Sequence, residues 1–305
     1  MRQTILVTGA TGAQGGSVAR HLIADNNFQV RVFTRNPESE NARELKALGA
    51  EIAVGDLSDP GSISKALEGC YAAFGVTNFW EHFGGEYQHG VNLIDAVAKS
   101  DVQHFVFSTL PSATKLSHGE LPVPHLDIKA ELEAYSKSLN LPATYVHIAF
   151  YYENFISFFP PQKVDANTFQ FGFPQGNTPL AAVSVEDLGG VVKVIFNNPE
   201  SFLHKTVGVV GDDQSCSDYA DILSKCLGKQ IVYNHYPREL YASFGFAGAE
   251  ELANMFAFNE QYIPERKAEL AESRILYPQI RTLKQWLSGN TEKFAPFFQE
   301  ESINA

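Results

Sequence analysis

A doubly wound parallel α/β sheet with a second, smaller α/β lobe is predicted by three features of the sequence. Residues 4–8 form a β-branched and aliphatic run, and Gly9, Gly12 and Gly15 follow it at three-residue spacing, opening a helical stretch at 17–24. Period-two and 3.6-period segments then alternate as far as residue 149, at intervals suited to right-handed crossovers. Polar and aromatic groups recur where the strand-like runs end, the edge at which such sheets bind ligands.

The glycine turn specifies the first crossover. One glycine permits a positive φ, a second lets the backbone approach a pyrophosphate, and a third lets helix pack on strand. The helix then starts with N–H groups free for anionic oxygens. A dinucleotide is the natural ligand, and the small Ala10, Thr11 and Ala13 keep the turn open to it.

The second strand, 29–35, ends in Thr34, Arg35 and Asn36. NAD-preferring sites place a carboxylate there for the ribose hydroxyls, and it repels a 2′-phosphate. Arg35 offers a planar cation instead, so NADP(H) is expected ahead of NAD(H). Taken as a solvated surface arginine, Arg35 leaves the choice open. A helix at 40–48 closes at Gly49, and strand 50–54 leads to Asp56, which either accepts from the adenine amino group or caps the next turn. After a helix at 62–69, strand 71–77 delivers Thr77, Asn78, Phe79 and Trp80 to the crevice. Helix 87–99 and strand 104–110, ending on Ser108 and Thr109, complete this stretch.

The next helix carries His125, Leu126, Asp127, Ile128 and Lys129. Short-chain dehydrogenases place a Tyr and a Lys four apart on such a helix, so that both face the nicotinamide and the lysine lowers the phenol pKa. Here the lysine is in place and the tyrosine is not. Lys129 is expected at the ribose or nicotinamide. His125 is either a proton donor, since imidazole titrates near neutrality, or a polar helix residue without chemistry. Strand 143–149 follows, and Tyr151, Tyr152, Glu153 and Asn154 leave its end where a nicotinamide would sit.

The fold is divided into a Rossmann-type domain, residues 1–152 and 182–212, and a smaller lobe for a partner or substrate, 153–181 and 213–305. Prolines at 160, 161, 174 and 179 mark a loop or hairpin. Ser184 and Asp187 read as a capping box opening a helix at 185–196 that returns to the first domain. A strand at 206–210, a helix at 218–227, a strand at 230–236 and a mostly helical stretch at 238–261 come next, and 282–287 is expected on the second lobe.

Composition narrows the functional classes. With 23 Lys plus Arg against 35 Asp plus Glu, the net charge is −12, and no basic face is available to neutralise a nucleic-acid backbone. No stretch approaches the ~18 apolar residues of a membrane span. Cys70, Cys216 and Cys226 read as reduced thiols of a cytoplasmic or nuclear protein. His82 and His89 lie too far apart for a metal motif, and no G-x-S-x-G elbow occurs.

The stretches VTGATGAQGGSVAR (7–20), VRVFTRNP (30–37), GVTNFWE (75–81), HLDIKAELEAY (125–135), YYENF (151–155) and GAEELANMFAF (248–258) together resemble the NmrA-like family of atypical short-chain dehydrogenases, most of all its human redox-sensing member. The resemblance implies an NADP(H)-binding regulator that changes its association state, homodimer included, or its protein partner. It places Gly9, Ala10, Thr11, Gly12, Ala13 and Gln14 on the pyrophosphate, and Arg35, Asn36, Pro37, Glu38 and Ser39 around the 2′-phosphate. Asp56 and Leu57 meet adenine, Thr77, Asn78 and Phe79 the inner ribose, and Lys129, Tyr151, Tyr152, Glu153 and Asn154 the nicotinamide end. Gln88 stands where the human relative has a basic contact, and Phe79 where it has a tyrosine. The missing catalytic tyrosine agrees with the family and inclines the reading away from an enzyme. The alternative is an NADPH-dependent reductase of quinones, aldehydes or similar small acceptors.

Overall fold

Strand β1 (Gln3–Val7) is apolar on both faces, with Ile5, Leu6 and Val7 wholly buried, as a central strand covered by helices on both sides must be. The computed structural model, which describes residues 2–82 and 84–298, builds its main sheet around this strand. Joining it are β2 (Phe28–Thr34), β3 (Glu51–Val54), β4 (Cys70–Gly75), β5 (His104–Thr109) and β6 (Ala143–Ile148). Beyond these come β7 (Phe150–Tyr151), β8 (Gln162–Lys163), β9 (Thr168–Gly172), β10 (Leu180–Val183), β11 (Thr206–Val209), β12 (Asp212–Gln214) and β13 (Gln230–Asn234).

Seven strands form one parallel sheet in the order β11-β6-β5-β4-β1-β2-β3. The order reverses between β1 and β4, so the chain leaves these neighbours toward opposite faces and a crevice opens at their carboxyl ends. The mixed α/β, Rossmann-type class expected from the sequence is the one observed. Two three-stranded sheets, β12-β10-β7 and β13-β9-β8, lie outside it.

The Phe-rich composition has its outlet in a separate apolar cluster that includes Tyr152, Phe155, Phe171, Phe173, Phe256 and Trp286. Phe173 and Phe256 stack with ring centres 4.0 Å apart. Segment 159–180, expected as a loop or hairpin, holds a hairpin in part: β8 and β9 pair antiparallel, but β9 also takes β13 as a parallel neighbour. Helix Lys267–Leu276 was not anticipated; it buries only Ser273, so its sequence carries little apolar periodicity.

Helix Val185–Asn197 lies on helix Ala13–Asp25. Ser17 Oγ donates to the Glu186 carbonyl at 2.6 Å and accepts from the Gly189 N–H at 3.0 Å. The capping box at its start is not closed. Ser184 caps the Glu186 N–H, but Asp187 turns away to Arg281, accepting from its backbone N–H at 2.9 Å and its Nε at 3.0 Å. A two-point partner for a buried carboxylate displaces the local cap. Among the described residues no helix is long and apolar enough to cross a membrane.

The close approach of these two helices depends on Gly189, where a Cβ would stand 2.3 Å from the Ser17 carbonyl oxygen. In an open helix Gly→Ala gains about 1 kcal/mol. Here the helices must separate, so Gly189→Ala is expected to destabilise the fold by about 1–3 kcal/mol in urea unfolding; a gain in stability would contradict this packing.

Candidate functional site

A cleft of about 1460 Å³ opens at the switch point and runs under helix Ala249–Tyr262. At one end lie Arg35, Asn36, Ser39, Asp56 and Leu57; in the middle, Gly9, Thr11, Gly12, Ala13 and Gln14; beyond them, Thr77, Asn78, Phe79, Lys129, Tyr151 and Asn154. The far part is lined by aromatic and aliphatic groups, among them Phe158, Tyr241, Phe246, Met255 and Phe258.

The glycine turn leaves no room for a side chain at Gly9 or Gly15. Gly9 has φ +59°, and a Cβ there would meet Val76 Cγ1 at 2.7 Å; one on Gly15 would lie 2.4 Å from the Gly9 carbonyl. Gly12 precedes helix Ala13–Asp25 without supplying a side-chain cap, so the first-turn N–H groups face the cleft. Gln14 Nε2 donates to the Tyr151 hydroxyl at 2.7 Å, while its Oε1 is buried without a partner.

The cations of the cleft are already paired. Arg35 contacts Glu81 and lies 3.8 Å from Asp56 Oδ2. The Glu81 bond and charge raise the guanidinium pKa further, and Glu81 is lowered in return. Lys129 Nζ donates to the Thr77 carbonyl at 3.0 Å and its hydroxyl at 3.1 Å, and forms an ion pair with Glu86. Burial lowers the Lys129 pKa, and Glu86 opposes that shift. His125 sits against Phe79 and Trp80, with ring centres 5.9 and 5.4 Å away. Its Nδ1 lies 2.7 Å from Glu251 Oε1, which also accepts from the His125 backbone N–H at 2.8 Å.

Residues 1–287 match the NmrA-like family. The chain belongs to that family. An NmrA-like family domain-containing protein of Dictyostelium discoideum is 34% identical, with 86% of this chain and 89% of that one covered. The NmrA-like family domain-containing oxidoreductase hkm9 of Aspergillus hancockii is 32% identical over 81% and 79% of the two chains. The solved structure of NmrA, a negative transcriptional regulator, in complex with NADP, superposes with a TM-score of 0.83, at 24% identity and 97% and 98% coverage.

In this NmrA-like chain six of the residues singled out from the sequence do not line the cleft. Ala10 is buried in the core beneath the turn. Pro37 and Glu38 belong to the turn before helix Glu40–Ala47, the Glu38 N–H donating to Asn36 Oδ1 at 3.0 Å. Gln88 is exposed and donates to Asn92 at 2.8 Å. Tyr152 points into the aromatic cluster, its hydroxyl donating to Asp212 at 2.9 Å. Glu153 accepts from the Ser184 hydroxyl at 2.7 Å and the Val185 N–H at 3.0 Å, fastening the start of helix Val185–Asn197. Ser39, which does line the cleft, also caps helix Glu40–Ala47. Conversely Glu81, Glu86 and Glu251 hold Arg35, Lys129 and His125, and local sequence gives no signal of that: Glu86 looks like an ordinary first-turn acid.

A further buried acid, Glu133, lies one turn beyond Lys129 on helix Pro124–Ser138. It accepts from Thr109 Oγ1 at 2.5 Å, Lys137 Nζ at 2.6 Å and His147 Nε2 at 2.8 Å. Burial alone would raise its pKa, but hydrogen bonds from His147, Lys137 and Thr109 outweigh burial and hold it at about 2, against 4.5 ordinarily. A depressed carboxylate stabilises the fold above its unfolded pKa and stops doing so as pH falls through the folded one. Glu133→Gln is therefore expected to cost about 3 kcal/mol at pH 7. In denaturation curves that difference should shrink between pH 4.5 and about 2; a pH-independent difference would refute the charged network.

Proposed function

We propose that this chain is an NADP(H)-binding regulatory protein that responds to the dinucleotide through its association state or a protein partner. The observation that carries the reading is the state of the helix that should be catalytic: no tyrosine precedes Lys129 by four residues, and the Lys129 ammonium is turned onto Glu86 and Thr77. The residues suit a dinucleotide. A turn that excludes a Cβ at Gly9 and at Gly15, an uncapped helix start and the unpartnered Gln14 Oε1 offer donors for a pyrophosphate and an acceptor for a ribose hydroxyl. Arg35 favours the 2′-phosphorylated form, provided the phosphate displaces Glu81. NmrA has been solved with NADP and with NAD, which supports a dinucleotide in this cleft, and on this reading the protein acts in the cytoplasm or the nucleus.

A sensor needs unequal affinity for, or unequal response to, the two redox forms. Sedimentation velocity, alone and with candidate partners, is expected to show NADPH and NADP⁺ shifting association to different extents; identical shifts would remove the redox-sensing reading. Arg35→Glu should abolish selectivity for NADPH over NADH, and an unchanged affinity ratio would move the 2′-phosphate elsewhere.

The second reading, an NADPH-dependent reductase, is favoured by the His125–Glu251 pair. A bound reduced nicotinamide supplies hydride-transfer chemistry. His125, at the position of the missing tyrosine and steadied through Nδ1 by Glu251, would hold a proton on Nε2 for a bound acceptor, and the apolar far part of the cleft would exclude water. The Aspergillus relative is named an oxidoreductase. On this reading NADPH oxidation with quinones or aldehydes falls by about 10²-fold or more in His125→Ala. Absence of turnover at confirmed NADPH occupancy leaves the regulator.

A further inference from the structure

We infer that the Glu86–Lys129 pair sets how evenly the oxidised and reduced forms of the bound dinucleotide are held, by cancelling the charge that the cleft presents to the nicotinamide. This rests on the cofactor reading above. The two forms differ in charge at the nicotinamide ring, which is cationic when oxidised and neutral when reduced. A protein discriminates between them most directly by the charge it presents at that end of the cleft.

The cleft has a defined direction. Arg35 and Asp56 mark one end and the glycine turn the middle, so a dinucleotide with its pyrophosphate on the turn and one nucleoside by Arg35 extends its other nucleoside toward Thr77, Lys129 and Tyr151. Thr77 and Lys129 line the wall there, while Glu86 is not part of the lining and is 0% exposed. The wall thus carries an ammonium at its face and a carboxylate behind it. Glu86 Oε1 accepts from Lys129 and from the Thr77 hydroxyl, the latter at 2.7 Å, and Oε2 is buried without a partner.

Such a pair is a poor stabiliser: both ions are desolvated and one oxygen forgoes a hydrogen bond. Its effect on the cleft is larger. An unopposed ammonium would repel a pyridinium through a poorly hydrated medium, where unit charges interact several-fold more strongly than in water. Glu86 cancels most of that field and keeps the oxidised form a competitive ligand. The carboxylate is therefore a specificity determinant that acts through Lys129 without touching the cofactor.

The test is isothermal titration of the full chain, its Glu86→Gln variant and the Glu86→Gln/Lys129→Met double variant with NADPH and NADP⁺, and with NADH and NAD⁺, from pH 6 to 9. In Glu86→Gln the Kd ratio of oxidised to reduced form is expected to rise about tenfold or more at pH 6. Because burial lowers the Lys129 pKa, the excess should diminish and not grow as pH rises. The double variant, which keeps His125 and the other titratable groups of the cleft, should return to the wild-type ratio. Both cofactor pairs should shift alike, because the charge lies at the nicotinamide and not at the 2′-phosphate. A Glu86→Gln ratio within about twofold of wild type throughout this pH range, with all dinucleotides still bound, overturns the role of the pair and leaves the cofactor site standing. Failure of the wild-type chain to bind any dinucleotide overturns the cofactor reading and this inference with it.

Discussion

The structure depends on how closely the backbone at the end of β1 can approach its neighbours. A Cβ at Gly9 would run into Val76, which follows β4, and one at Gly15 into the Gly9 carbonyl. These are the neighbouring strands at which the sheet order reverses. The turn therefore lies flush with the carboxyl edge of the sheet, and helix Ala13–Asp25 begins with its N–H groups at the crevice. Side chains at those glycines would lift the helix start away and fill the space an anionic ligand needs. Gly189 on the opposite helix imposes the same closeness from outside, so the helix is fixed between sheet and neighbour.

In a chain of net charge −12 that offers a cleft to an anion, the cleft cations are held by acids: Arg35 by Glu81, Lys129 by Glu86, Arg266 by Glu269. The consequences differ with burial. Arg35 and Glu81 are half exposed, so salt and water weaken their attraction and an incoming phosphate can exchange with the carboxylate at modest cost. Glu86 has no exposed surface, and removing either partner leaves a buried charge. The Arg35 end of the cleft is therefore open to exchange of partners, whereas the Lys129 end is fixed in its charge.

The main sheet was legible because its signals are local: alternation within a strand, glycines at fixed spacing, a lysine at a known helical offset. What the sequence hid depends on contacts between distant segments. Glu86 and Lys129 are 43 residues apart, His125 and Glu251 126 apart, and neither acid stands out from its neighbours. Tyr151, Tyr152 and Glu153 are neighbours in sequence with different destinations in the fold. β7 ends at Tyr151 and a 3₁₀ turn starts at Tyr152, so Tyr151 faces the cleft while the next two residues serve the aromatic cluster and a helix start. Asp187 was likewise assigned to a local cap because Arg281, 94 residues on, is invisible to any short window.

The same geometry ties the Arg35 end of the cleft to the helix that roofs it. Glu81, which holds Arg35, belongs to the short helix Phe79–His82, and so does Trp80. The Trp80 ring lies so near Gly248 that a Cβ there would stand 2.9 Å from it, and Gly248, at φ +88°, is the residue from which helix Ala249–Tyr262 starts. The indole also packs on His125, whose ring and backbone N–H are both bound by Glu251 of that helix. Glu81 holds Arg35 through one of the guanidinium nitrogens and is itself carried by its helix. One indole and one carboxylate–histidine contact thus join the short helix that carries Glu81 to the start of the helix over the cleft.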